Sequence, residues 1–156
     1  MKKAIVVVAG MMVAALVRSE EIKHRFLVSD FMHCSVHCVD QADASKSWTL
    51  KLPEIAFDLQ LVGGNRLLCN RSRGFDVYDL ATREKVDSFQ SDAMKDVRSV
   101  RRLADGRTFL GSQGGTVYEL DAQKNLTATY EMPKAAKYVR LMRFTPAGTA
   151  NRPDRS

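Results

Sequence analysis

Leu61-Val62-Gly63-Gly64-Asn65-Arg66-Leu67-Leu68 reads as apolar residues, a glycine-bearing turn, and apolar residues again. It returns 42 residues later as Leu103-Ala104-Asp105-Gly106-Arg107-Thr108-Phe109-Leu110. Both copies predict strand, tight turn, strand, with Gly64 and Gly106 where a hairpin needs a positive φ. Arg143-Phe144-Thr145-Pro146-Ala147-Gly148-Thr149-Ala150 repeats the pattern at the same interval. Beyond the hairpin, Phe75-Asp76-Val77-Tyr78-Asp79 matches Val117-Tyr118-Glu119-Leu120-Asp121 at 42 residues, and Val36-His37-Cys38-Val39-Asp40 is an earlier copy at 39. Leu27 corresponds to Leu68 at an offset of 41, so the loop between these two strands is two residues longer in the first copy. A period of about 40–45 residues is that of a four-stranded unit that cannot bury its own apolar face and must stack on copies of itself.

Each copy ends in Asp, at positions 40, 79 and 121, and opens a polar stretch, as expected of a side chain that bonds its own backbone in a turn. An aromatic residue follows near the end of a short strand: Trp48, Phe89 and Tyr130. These predict equivalent, largely buried wedges between neighbouring units. The expected fold is all-β: four-stranded antiparallel β-propeller blades in an incomplete ring. Blades are expected at about 25–52, 55–90 and 97–132, with the first strand of a further blade at 138–145 and a polar tail at 151–156.

With 156 residues and no Pro/Gly/Ser-rich linker, the chain predicts one modest domain or a partial array. Its amino terminus, Met1-Lys2-Lys3 followed by the uncharged, mostly apolar run 4–17 and Arg18, is built like a secretory signal, and the run is too short for the roughly 20 residues of a membrane span. A signal peptide over 1–19 and export to the periplasm or exterior are expected, with membrane anchoring if it is not cleaved. A buried strand around Ile5-Val6-Val7-Val8 is the alternative. Removing Lys2, Lys3 and Arg18 leaves 21 basic residues against 18 acidic ones. No basic stripe with interleaved aromatics is present, and Arg98, Arg101, Arg102 and Arg107 read as one hairpin, so nucleic acid is not an expected partner.

The cysteines, Cys34, Cys38 and Cys69, are odd in number and form no disulfide framework. His33-Cys34-Ser35-Val36-His37-Cys38 has ligand-like spacing. A strand over 36–40 sends His37 and Cys38 to opposite faces, which argues against a metal site. Gly111-Ser112-Gln113-Gly114-Gly115 lies between strands and predicts a turn. The sequons at Asn70 and Asn125 matter only on a eukaryotic secretory route. No nucleophile stands beside a base, no catalytic residue is nominated, and no cofactor is implied.

Turn-glycine strand pairs, the Val-Tyr-Asp and Val-Tyr-Glu-Leu-Asp strands and the aromatic-ended fourth strand together resemble blades of the quinoprotein-like (PQQ-like/YVTN-like) β-propeller superfamily over about 25–150. That superfamily includes quinone-dependent dehydrogenases, outer-membrane assembly scaffolds and arylsulfotransferase-like proteins. The Gly-His and Trp-Asp signatures of WD repeats are absent. The resemblance implies binding through loops at one end of the ring. The loops between second and third strands, 29–35, 70–74 and 111–116, present His33, Asn70, Arg71, Arg73, Ser112 and Gln113 as candidate ligand-binding residues. An exported, non-catalytic binding or scaffold module for a protein, glycan or small molecule is the expected function. Alternatives are a fragment of a propeller enzyme (quinoprotein dehydrogenase, lactonase or arylsulfotransferase-like) and a truncated product without independent function.

The first recognisable strand, 25–29, is a second strand, and the last, 138–145, is a first strand. Three blades' worth falls short of the about four to eight of closed propellers. The complementary ends predict a homodimer closing a six-bladed ring with C2 symmetry; an open three-blade fragment is the competing expectation.

Overall fold

The computed structural model describes residues 22–133 and 138–145. The expected signal peptide, the polar tail and Gly148 therefore lie outside the described residues. Three antiparallel sheets follow one another along the chain. Blade 1 holds β1 (Arg25–Asp30), β2 (Ser35–Asp40) and β3 (Trp48–Lys51), with a single 3-10 turn at Ala44–Lys46. Blade 2 holds β4 (Leu59–Val62), β5 (Arg66–Arg71), β6 (Gly74–Asp79) and β7 (Lys85–Gln90). Blade 3 holds β8 (Val97–Arg102), β9 (Thr108–Ser112), β10 (Thr116–Leu120) and β11 (Leu126–Glu131). Within each sheet sequence neighbours are spatial neighbours, and the described sheets do not close into a ring.

The turn chemistry follows the repeat. Gly64 and Gly106 carry φ of 74° and 90°. Asp79 Oδ1 accepts from Ala81 N at 2.8 Å and Thr82 N at 3.0 Å, and Asp40 Oδ1 accepts from Ala42 N and Asp43 N, both at 2.9 Å. Backbone hydrogen bonds from Thr82 and Ala81 hold the Asp79 carboxyl below the usual carboxylate range.

Two apolar cores lie one on each side of blade 2. Leu68, Phe75, Val77, Met94, Val97, Val100, Leu110 and Leu120 fill the side shared with blade 3. Val36, Leu50, Ala56, Leu67, Cys69 and Tyr78 fill the side shared with blade 1. Leu67 and Leu68 are consecutive on β5 and both fully buried, so the period-two alternation of a strand sends one to each core. The central strands of blade 2, β5 and β6, are buried on both faces, and the polar Asn70 and Asp76 are buried there along with the apolar side chains.

The expected aromatic equivalence holds for two of three positions. Phe89 pairs with Phe75, and Tyr130 with Val117, at matching places in blades 2 and 3. Trp48 does not match them: it pairs with Cys38, and Leu50, opposite Val36, takes the equivalent place. Val36 and Leu50 are 14 residues apart, as are Phe75 and Phe89, so the connection is of equal length and Trp48 stands two residues before the equivalent place. Phe89 is half-buried and stacks on Phe75 with ring centroids 5.7 Å apart. Tyr130 is 45% exposed rather than buried.

Residues 138–145 form no ladder, yet they lie against blade 3 as β8 lies against blade 2. Val139 N donates to Ser112 O at 3.2 Å, and Val97 N, 42 residues earlier, donates to Ser72 O at 3.0 Å, an acceptor two places further along its blade than the repeat equivalent of Ser112. Arg101 Nε donates to Met142 O at 3.1 Å, and the Phe144 ring lies 4.6 Å from that of Phe109.

Candidate binding face

One end of the blades gathers the loops between second and third strands and the connectors from each outer strand to the next inner strand. The two are stitched together. Leu52 N donates to Cys34 O at 2.8 Å, Ser91 N to Arg73 O at 3.0 Å, Gln113 N to Asp96 O at 2.8 Å, and Met132 N to Gly115 O at 2.8 Å.

Two of the six sequence-nominated residues are buried and hydrogen-bonded within the fold. Asn70 belongs to β5 and is 1% exposed. Its Oδ1 accepts from Phe57 N and Asp58 N, both at 2.8 Å, and its Nδ2 donates to Val97 O at 2.8 Å. Every one of those bonds satisfies backbone of the blade 1–2 connector or of β8, so the amide is a structural tie. Ser112 is likewise buried, its Oγ accepting from Thr116 N at 3.1 Å inside the β9–β10 turn.

The other four are exposed or half-buried, and three of them, one histidine and two arginines, have acidic partners. His33, exposed, sits with Nδ1 2.7 Å from Asp30 Oδ2, and its backbone N donates to Asp30 Oδ1 at 3.1 Å. The His33 side chain is the main cause of the lowered Asp30 pKa. Arg73 Nη1 lies 2.6 Å from Asp92 Oδ1. Arg71 Nε donates to Glu54 Oε1 at 2.6 Å, while its Nη1 stands 3.5 Å from Asp76 Oδ2. Burial works to raise the Glu54 pKa, but hydrogen bonds from Arg71 and Ser72 outweigh it and hold the carboxyl below its ordinary value. Gln113 is half-buried and contributes its backbone to the stitch with Asp96.

No motif in the sequence marks a hollow at this end, between the blade 1–2 connector, the loops at Cys34 and Ser72, and the start of β8. It measures about 400 Å³ and is lined by Cys34, Glu54, Phe57, Ser72, Val97 and Arg98, among others. The Arg98 guanidinium lies over the Phe57 ring, 4.2 Å from its centroid, in cation–π geometry. Arg98 Nε is buried without a hydrogen-bond partner. Phe31 and Met32, 56% and 76% exposed, stand on the β1–β2 loop that carries Cys34 to the hollow. Phe57 and Glu54 sit in a connector with no repeat signature. Only the Pro53 that opens the connector marked it in the sequence.

The ligand-like string does not assemble. His37 uses Nε2 toward Ser35 Oγ at 3.2 Å and Nδ1 toward Thr49 Oγ1 at 2.9 Å, while Cys38 is buried on the other face. Among the described residues no group of three or more His, Cys, Asp or Glu side chains could hold a metal ion. All three thiols are free. A separate polar layer lies between blades 1 and 2, where Tyr78 OH donates to Asp76 Oδ2 at 3.2 Å. Burial, and secondarily the Asp76 charge, push the Cys69 thiol up to about 12. Such a thiol stays protonated and inert.

No family model matches the chain, and no curated protein matches it. Among solved structures it resembles hydrazine synthase of Kuenenia stuttgartiensis, with a TM-score of 0.63 at 12% identity over 80% of this chain. The match spans 36% of the length of that chain. At this identity the likeness concerns architecture alone, and it supports a β-propeller-like arrangement of the three sheets.

Proposed function

We propose that this chain is an exported, non-catalytic binding or scaffold unit of the quinoprotein-like propeller type, and that it engages its partner through the face around Phe57 and Arg98. The observation that carries this reading is the hollow itself: connectors and loops of two blades converge on a concavity with an aromatic floor and an arginine whose Nε lacks a partner. Concave sites with a few polar groups on an apolar lining are where ligands bind. Arg71 and Arg73 are each paired with a carboxylate, which favours a neutral polar ligand such as a glycan or an uncharged peptide over a polyanion.

The test is chemical-shift mapping of the labelled protein against a panel of neutral oligosaccharides and short peptides. Perturbations should cluster on Cys34, Phe57, Ser72 and Arg98 for at least one class, and Arg98→Ala should abolish them. Perturbations confined to the opposite end of the blades, or binding indifferent to Arg98→Ala, would overturn the assignment.

A further inference from the structure

The hollow beneath Arg98 has an apolar wall and a polar wall, and they differ in what they leave open. Pro53, Ile55, Phe57 and Val97 supply the apolar lining, and the Phe57 ring stays 44% exposed with the guanidinium over it. The acceptors of the polar wall are already engaged. Glu54 Oε1 accepts from Arg71 Nε at 2.6 Å and its Oε2 from Ser72 N at 3.3 Å, while Cys34 O accepts from Leu52 N at 2.8 Å. Arg98 is the exception. Among the described residues its carboxylate neighbour is Asp96, whose Oδ1 stands 3.8 Å from Nη2, beyond hydrogen-bond reach, and the arginine side chain is 27% exposed. Its guanidinium is thus a donor held in place by the ring beneath it, with no acceptor of its own.

An occupant must therefore bring an apolar body for the lining and an acceptor for Arg98. Charge decides which acceptor. An incoming carboxylate would meet Asp96 beside the guanidinium and Glu54 in the wall, so a neutral carbonyl oxygen is the better match. A sugar matches poorly, because it carries a hydroxyl on nearly every carbon, each a donor that needs an acceptor when buried, and the wall has committed its acceptors to Arg71, Ser72 and Leu52. One peptide residue meets both demands, with an apolar side chain and a backbone carbonyl next to it. The volume of about 400 Å³ lies near the lower end of ligand clefts and holds one large side chain with its flanking peptide groups.

We propose that the hollow takes one uncharged apolar side chain from a peptide segment of a partner protein, seated against Ile55, Phe57 and Val97, while a backbone carbonyl of that segment accepts from Arg98. The assignment rests on the face around Phe57 and Arg98 being the binding face, and it narrows the neutral ligands of that face to peptide. Phe31 and Met32, exposed on the loop that brings Cys34 to the hollow, offer further apolar surface to the residues beside the anchor.

Amide chemical shifts of the labelled full chain, followed through titrations, compare N-acetyl-leucine N-methylamide with its glycine analogue, with free N-acetyl-leucine and with cellotetraose. The blocked leucine should shift Phe57, Val97 and Arg98. The glycine analogue should bind roughly tenfold more weakly, since it has no side chain to bury, and the free acid should also bind more weakly. Arg98→Met, which keeps a stem over Phe57 and removes the donors, should weaken the blocked leucine roughly tenfold with the rest of the spectrum unchanged. The comparison of probes on the parent chain stands whether or not that variant folds. Equal affinity for the leucine and glycine probes overturns the apolar anchor, and tighter binding of the free acid overturns the neutral acceptor. Cellotetraose bound in the hollow as tightly as the blocked leucine overturns the peptide assignment and leaves the binding face standing. Shifts at these residues from none of the probes overturn the assignment and the face together.

Discussion

Asp58 and Arg101 join blades 2 and 3 through an ion pair of 2.8 Å in which the side chains are only 4% and 11% exposed. The same Asp58 Oδ2 accepts from Val100 N at 3.1 Å, one full repeat of 42 residues away. Gln60 and the backbone of Arg102, also 42 apart, exchange hydrogen bonds of 2.9 and 2.7 Å. The inner strands are therefore stitched residue to equivalent residue, and the period in the sequence is also a contact distance in the fold.

Asp58→Ala deprives the largely buried Arg101 charge of its carboxylate, while the guanidinium keeps its bonds to Val100 O and Met142 O, and leaves the buried Val100 N–H without an acceptor. It should cost about 3–5 kcal/mol in urea unfolding, the cost of breaking a buried pair from one side. Asp58→Asn, which keeps an acceptor for Val100 N, should cost distinctly less.

Asn70→Ala leaves Phe57 N, Asp58 N and Val97 O without their partner. Two of these bonds are buried and unfulfilled buried groups cost about 1–3 kcal/mol each, so a loss of at least about 2 kcal/mol is expected. Denaturant titration of the unliganded protein checks it. A change in ligand affinity at unaltered stability would contradict the structural role.

Among the aromatic residues, Phe89→Ala should cost about 3 kcal/mol, the low end for a large ring, because Phe89 is only half-buried against Phe75. Tyr130→Ala should cost less than Phe89→Ala in the same thermal unfolding series, since its ring is 45% exposed.

Cys69, with its thiol pushed from 9.0 up to about 12, should resist alkylation in the native state and react on unfolding, as peptide mass mapping would show. The folded state holds the proton more tightly than the unfolded one. This contribution is accordingly complete below pH 9 and is lost as the pH rises from there toward 12. Tyr78, raised by burial and by Asp76, acts in the same direction from pH 10 upward. Denaturation midpoints measured from neutral to alkaline pH should fall, and less steeply in Cys69→Ala.

Expression with export should yield a chain whose intact mass lacks residues 1–19. Retention of those residues in a protease-protected core would count against the signal.

The blades were legible because their turns need special backbone: a glycine at φ 74° or 90° has few substitutes, so Gly64 and Gly106 mark the hairpins directly. The candidate face was only half legible. Asn70 and Ser112 carry loop chemistry at strand ends, and only the arrival of residues 13 and 27 positions away, or of the turn's own backbone, shows that their polar atoms are taken. Phe57 and Arg98 meet across a connector and the following strand, a juxtaposition fixed by packing rather than by any local pattern. Trp48 misled because the place equivalent to Phe89 and Tyr130, opposite Val36, is held by the aliphatic Leu50, and the one large ring of that strand stands two residues earlier.

Because Leu67 and Leu68 look in opposite directions, a slip of β5 by one residue would exchange the contents of two cores simultaneously. Strands with one wet face risk a single penalty when they misalign; β5 risks two, on surfaces owned by different neighbours. Blade 2 therefore acts as a proofreader for the chain, admitting one alignment and transmitting it to both flanks. Its central amides should be the last in the molecule to exchange with solvent.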